Sequence, residues 1–282
     1  MPALPYAALS PTTNSMFGIF AFLIGASVGS FLNVAADRVP AGGSLIAPRS
    51  YCDSCQRTLA SIDMIPVLSY VWLRGKCRHC NASIPFRVFL VEAVTGALFL
   101  AVYLLYGLGA EFIVLSACLS LLVLVSLIDL EHGLILDVMV FPSIVLLLLL
   151  APFWSEIGIS RPFLGDETLF GSLAVSFLSG FGAFLVFLLV AMIFPAGMGG
   201  GDVKFAPVLG LMLGFPGILI ALWLSAIGGG LIAIGMVLLR GKSRKDSIPF
   251  GPFMAMGAAA ALIGGPDIIN WYRDLGSAIA GT

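Results

Sequence analysis

Long apolar windows, separated by short polar or glycine- and proline-rich stretches, divide most of this chain. About 18–25 apolar residues suffice to cross the hydrocarbon layer of a bilayer as a helix. On that measure the pattern predicts membrane helices at roughly residues 16–35, 87–107, 111–129, 134–151, 169–194, 203–214, 217–239 and 251–270. Residues 203–239 form one nearly continuous apolar run, too long for a single helix. Gly214-Phe215-Pro216-Gly217 interrupts it and reads as a tight turn between two spans or as a break within one. Residues 36–86 stand apart as the only sizeable polar segment. The expected fold is an all-α polytopic membrane protein with about eight transmembrane helices and a small inserted module.

Composition agrees: 60% of the 282 residues are hydrophobic and 10% charged, where soluble domains are about a quarter charged. Charge placement then orients the chain. With eight spans, segments 36–86, 130–133, 195–202 and 240–250 share one face and hold Arg38, Arg49, Arg57, Arg74, Lys76, Arg78, Arg240, Lys242, Arg244 and Lys245. Arg87 and Lys204 lie at the boundary of that face, leaving Arg161 and Arg273 opposite. That is the positive-inside asymmetry, so the basic face is cytoplasmic. Merging the sixth and seventh windows would move Arg240–Lys245 to the outer face, which favours eight. The first window has no basic residue before it and Arg38 after it, the reverse of a cleavable signal peptide. It reads as a retained helix with its N-terminus outside. No basic stripe or tail points to nucleic acid.

Four of the five cysteines form Cys52-x-x-Cys55 and Cys77-x-x-Cys80 with 21 residues between the pairs, a zinc-ribbon spacing. Zinc accepts four thiolates tetrahedrally, and a module of some fifty residues needs such a staple because its own apolar core is small. Disulfides fit a reducing compartment less well, and a redox role is the weaker alternative. His79, between Cys77 and Cys80, could substitute as a ligand but reads first as a solvated side chain because four sulfurs suffice, and Cys118, alone in an apolar run, as a small buried hydrophobe. No clear internal repeat shows in the sequence.

Two aspartates carry the candidate chemistry. Asp129 ends the apolar run from Ser116, and Asp202 opens another after Gly199-Gly200-Gly201. A carboxylate at a membrane boundary is expensive unless paired, hydrated or used. On the eight-span topology both reach the cytoplasmic side at similar depth, where two carboxylates can share a proton and act as acid and base. The competing readings are an N-cap for Asp202 and an ordinary interfacial residue for Asp129. The glycines allow close backbone approach. Asp137 suits an orienting or capping role, and Lys204 reads equally as a partner of Asp202 or as a snorkelling interfacial cation. Gly25-Ala26-Ser27-Val28-Gly29-Ser30, extended by Asn33, reads first as a small-residue packing face, with a substrate groove as the sharper alternative.

Taken together, several stretches resemble the bacterial type IV prepilin peptidase family. They are Gly29-Ser30-Phe31-Leu32-Asn33-Val34 with Arg38-Val39-Pro40, the two cysteine pairs, Pro66-Val67-Leu68-Ser69-Tyr70, Arg74-Gly75-Lys76-Cys77-Arg78-His79-Cys80, Glu92, Asp129 with Asp137, and Gly199-Gly200-Gly201-Asp202-Val203-Lys204. They cover residues 25–210 in the family's order. The resemblance implies that Asp129 and Asp202 are the catalytic dyad, supported by Asp137, Gly199, Gly200, Gly201 and Lys204. It implies cleavage of the basic leader of prepilin or pseudopilin precursors after a glycine, at the cytoplasmic face of the bacterial inner membrane, in pilus assembly or type II secretion. It further implies N-methylation of the new terminus with S-adenosylmethionine, linked to Gly75 and Lys76, although no glycine-rich dinucleotide-type fingerprint is present. The chain departs from the pattern at Leu136, where a proline is usual. The dyad spacing of some 70 residues is also longer than expected, which suggests an insertion within 152–168.

The expected organisation is a tail and first helix (1–35), a cytoplasmic four-cysteine zinc module tied to methyl transfer (36–86) and a transmembrane aspartic peptidase core (87–282). Its expected partners are the precursors and membrane lipid. The rivals are an ion-coupled transporter, whose carboxylates would sit near the bilayer midplane, and a membrane anchor whose zinc ribbon docks a partner.

Overall fold

A computed structural model describes residues 11–159, 168–194, 198–240 and 249–264. The helices are α1 (Pro11–Arg38), α2 (Leu68–Trp72), α3 (Phe86–Tyr106), α4 (Ala110–His132), α5 (Asp137–Leu150), α6 (Leu169–Ile193), α7 (Gly200–Leu213), α8 (Gly217–Arg240) and α9 (Gly251–Gly264). Each of the eight apolar windows falls on one of these helices, and α2 is a short extra turn in the insert. Among the described residues there is no strand, only isolated bridges between Tyr51 and Thr58 and between Lys76 and Ser83. The basic residues at 242–245, together with Arg161 and Arg273, lie outside the described residues.

Among the described residues, four helices are long and apolar enough to cross a bilayer: Asn14–Arg38 of α1, α3, α4 and α6. This is a membrane protein. The remaining apolar helices are shorter, at Asp137–Phe153, Gly217–Ile232 and Gly251–Gly264. α7 has 14 residues, about 21 Å of helix against a hydrocarbon layer of about 30 Å. The glycine–proline break is a turn: α7 ends at Leu213, Gly214 takes φ +63°, and α8 starts at Gly217.

Two compact units divide at Leu127–Ile128. In the first, α1 packs along α3 through glycines. A methyl on Gly25 would fall 2.7 Å from Phe99, one on Gly29 2.8 Å from the Glu92 Cα, and one on Gly96 2.8 Å from Phe22. The small-residue stretch of α1 is thus a packing face. In the second unit, α6 turns Ser172, Ser176, Ser179, Gly180 and Ala183 inward. The backbone of Gly210 on α7 lies so close to Gly180 that a methyl there would come within 2.6 Å of its Cα. Nearly every residue of α7 after Gly201 is buried, Lys204 and Pro207 excepted. A short helix buried on most sides places its first turn firmly, and that turn carries Asp202.

Candidate active site and metal-binding module

Asp129 sits in the last turn of α4 and is 6% exposed. The helix stops one turn later because Gly133 adopts φ +64° and donates its N–H to the Asp129 carbonyl at 2.9 Å, a left-handed exit that suits glycine. The Asp129 carboxylate accepts the Gly251 N–H through Oδ2 at 3.0 Å. Asp202, 8% exposed, is the third residue of α7 rather than its N-cap. Gly199 holds the cap position, and Asp202 Oδ2 accepts the Gly199 N–H at 3.3 Å.

Ile135 lies between the two segments. A methyl on Gly201, next to Asp202, would come within 3.0 Å of the Ile135 Cβ, and one on Gly251 within 3.3 Å of its Cδ1. A Cβ at 201 would therefore press on Ile135, whereas a Cβ on Gly200 would meet nothing within 4 Å. The two carboxylates lie within electrostatic range of each other. Lys204 does not pair with Asp202. Its Nζ donates to both carboxylate oxygens of Asp137, at 2.8 and 3.0 Å. Asp137 is the first residue of α5, where a negative charge also suits the helix dipole. Its carboxylate is engaged by Lys204 across the two helices.

Gly251 is the site residue that sequence reasoning passed over. It opens α9 as the residue after Phe250, whose carbonyl accepts from Phe253 and Met254. The first N–H groups of a helix have no intrahelical partner, and this one is spent on Asp129. Pro252 beside it brings no N–H at all. The available signal was a Gly-Pro pair opening an apolar window on the face already assigned to both aspartates.

The insert is built from two knuckles related by a 25-residue shift, a repeat that side-chain chemistry conceals. Cys52 N–H donates to the Arg57 carbonyl at 2.9 Å and Gln56 N–H to the Cys52 carbonyl at 2.7 Å; Cys77 and Asn81 repeat this with Ala82 and Cys77 at 2.8 and 3.0 Å. Gln56 and Asn81 both take left-handed φ, 57° and 58°. Leu59 N–H closes on Ser50 as Ile84 N–H closes on Gly75, at 2.9 and 2.7 Å. The four Sγ atoms lie within 4.8 Å of one another, Cys52 and Cys80 at 3.7 Å. Tetrahedral zinc with bonds of about 2.3 Å requires sulfurs about 3.8 Å apart, so Cys52, Cys55, Cys77 and Cys80 fit that ion. The Cys80 backbone N–H, followed by that of His79, holds the Cys77 thiol down to about 6; at Cys80 the Ala82 N–H acts the same way, but burial and the neighbouring sulfurs outweigh it and push that thiol up to about 11. His79 Nδ1 faces Arg57 Nη1 at 3.3 Å instead of joining the sulfurs, and Cys118 is buried in α4. Cys52→Ser should abolish stoichiometric zinc binding and expose residues 36–86 to protease, with a smaller loss of peptide hydrolysis. Metal analysis beside a cleavage assay at matched protein level checks both, and a loss of cleavage as large as the loss of zinc would count against this separation.

Gly75 adopts φ +67°, and a methyl there would fall 2.9 Å from the Tyr70 hydroxyl. Its N–H donates to the Tyr70 carbonyl at 2.9 Å. Lys76 follows, exposed, in the bridge with Ser83.

Two buried aspartates thus stand at the end of α4, a helix long and apolar enough to cross a bilayer, and at the start of the buried helix α7. Residues 23–106 match the bacterial peptidase A24 N-terminal domain and residues 113–234 the type IV leader peptidase family. Proteins named prepilin leader peptidase/N-methyltransferase are similar over most of the chain. That of Bacillus subtilis is 33% identical, covering 89% of this chain and 96% of its own. That of Aeromonas hydrophila is 33% identical over 89% and 92%, and that of Pseudomonas aeruginosa 32% over 96% and 98%. The chain belongs to the type IV leader peptidase family. No solved structure matches it significantly.

Proposed function

We propose that this chain is a membrane aspartic endopeptidase that removes the leader of prepilin-type precursors and then N-methylates the new amino terminus. The observation carrying the peptidase reading is the pair Asp129 and Asp202, both buried and within electrostatic range on separate helices. Two close carboxylates hold one proton between them. The ionised partner takes a proton from water as that water attacks the scissile carbonyl. The protonated partner donates to the carbonyl oxygen, and collapse of the tetrahedral intermediate breaks the C–N bond, with the proton passing to the departing amine. The pair titrates as a unit. Gly251 holds Asp129, the N-terminal turn of α7 with Gly199–Gly201 holds Asp202, and the Lys204–Asp137 pair ties α7 to the start of α5.

In this reading the eight apolar helices all cross or re-enter the bacterial inner membrane, with the dyad and the cysteine module on the cytoplasmic side. The substrate is cut after a glycine, its basic leader in water and its apolar helix in lipid. Zinc is structural, held by the four cysteines, with no role at the scissile bond. The methyl donor is S-adenosylmethionine: its sulfonium methyl passes to the neutral new amine, a proton leaves the nitrogen, and S-adenosylhomocysteine departs. Gly75 and Lys76 belong to the region assigned to that step. Nothing in the fold or among the relatives supports an ion-coupled transporter.

The test is incubation of purified protein, in lipid, with a pilin-like precursor, followed by mass spectrometry of the product's amino terminus. Cleavage after glycine is expected, with a gain of one methyl group on adding S-adenosylmethionine. Absence of cleavage by folded, zinc-loaded protein would sink the assignment.

A further inference from the structure

The first compact unit carries an apolar surface that the peptidase reading does not use. In the segment from Ser61 to Leu73, Ile62, Ile65, Leu68, Val71 and Trp72 are all exposed, Leu68 by 58%, Val71 by 61% and Trp72 by 69%. Leu68, Val71 and Trp72 stand at i, i+3 and i+4 of α2, so they share one face. The other face is used internally: the Tyr70 ring lies 5.2 Å from that of Phe89 and 6.4 Å from that of Phe86, and its hydroxyl rests over Gly75. Five large apolar side chains exposed within one short segment, three of them on one helix face, are not what a module surrounded by water presents.

The backbone fixes where this face stands along α3. Val67 takes φ +64° and ψ −53°, with Leu68 N–H donating to the Pro66 carbonyl at 2.6 Å. This is a γ-turn of the strained hand, costly for a β-branched residue. It is held by Glu92, 4% exposed on α3, whose Oε2 accepts the Val67 N–H at 2.6 Å. Charge belongs at the water boundary of a membrane protein, and at this end of α3 it is the Arg87–Asp37 ion pair, 2.8 Å. Glu92 stands five residues further along α3 than Arg87, about 7 Å deeper at helical rise. Val67 is therefore pinned below the level of the charges, beside a helix that spans the membrane. Phe86 and Leu90 on that helix are exposed too, so the apolar face of α2 continues the lipid-facing flank of α3. Arg74 and Lys76 follow at once and are exposed, the pattern of an interfacial element with cations among anionic headgroups.

We propose that the segment Ile62–Trp72 of the cysteine module is inserted in the headgroup–acyl boundary of the bilayer, so that the module is half-sunk in the membrane instead of free in water. The occupant of the apolar face is lipid, argued from its continuity with α3 and from the depth that Glu92 imposes.

The experiment compares the full chain with Trp72→Phe in vesicles of phosphatidylcholine and phosphatidylglycerol, zinc content verified in both. The difference between their tryptophan emissions isolates Trp72. It should be blue-shifted and lose most of its intensity to lipids brominated high on the acyl chain, less to lipids brominated near its end, and little to aqueous iodide. Quenching by iodide and not by brominated lipid would place the face in water and overturn the proposal. Protection from both would overturn it equally, because a second copy or another protein segment would then cover the face.

Discussion

Asp129→Asn and Asp202→Asn should each abolish leader cleavage, by about 10²-fold to 10⁴-fold or more, the span associated with losing one positioned acid–base group. The substitution is nearly isosteric, so the packing of α7 and the exit of α4 through Gly133 should survive it. The hydrogen bonds observed make the two variants informative in different ways. Asp129 accepts from the Gly251 backbone and Asp202 from that of Gly199. An asparagine can still accept through its carbonyl oxygen, so each variant keeps its anchor and loses only the ability to hold or release the shared proton. Because the two groups act as one unit, the double variant should be hardly worse than either single one. Zinc content should stay at the wild-type level in all three, since the four sulfurs do not involve these residues. Product mass spectrometry at matched protein level decides the matter: substantial cleavage by either single variant would remove that aspartate from the dyad.

What was legible in the sequence follows from how local each signal is. Apolar windows report helices directly, and all eight fell on helices. Cys-x-x-Cys spacing reports a knuckle because the turn is built from adjacent residues. The two aspartates were visible because charge at the end of an apolar run is costly wherever the chain then goes. What the sequence concealed was non-local. That Lys204 would reach Asp137, 67 positions earlier, and not Asp202 beside it, depends on how α5 and α7 lie together. That Asp202 is the third residue of its helix and not the cap depends on α7 beginning within the glycine run. The knuckle repeat was hidden because, beyond Cys52, Cys55, Cys77 and Cys80, the 25-residue shift aligns mostly different side chains while the backbone hydrogen bonds of the knuckle recur. Gly251 was hidden most deeply, since its contribution is a backbone N–H, and a backbone group leaves no mark in the sequence beyond the absence of a side chain.

That absence makes a sharp prediction. A methyl group on Gly251 would lie 2.5 Å from Asp129 Oδ2, 3.1 Å from its Cγ and 3.3 Å from Ile135 Cδ1. Contacts that short cannot persist, so the carboxylate must swing away or the start of α9 must withdraw; either breaks the 3.0 Å hydrogen bond that fixes Asp129. Displacing a reacting group by about 1 Å can cost about 10²-fold in rate. Gly251→Ala should therefore lower kcat for leader cleavage by about that factor, with a smaller change in KM, because the added methyl acts on Asp129 and Ile135. Helix propensity acts the other way, since alanine in a helix is generally the more stable residue, so the variant should fold and insert normally. Gly182→Ala on α6, whose added methyl would meet nothing within 4 Å, controls for the general effect of replacing a helical glycine and should cleave at the wild-type rate. If Gly251→Ala cleaves as fast as Gly182→Ala, the Gly251 amide does not position Asp129. If it loses cleavage together with expression and zinc content, the residue serves folding instead of the dyad. Loss of kcat in a folded, zinc-loaded protein is the outcome that makes the first turn of α9 a working part of the site.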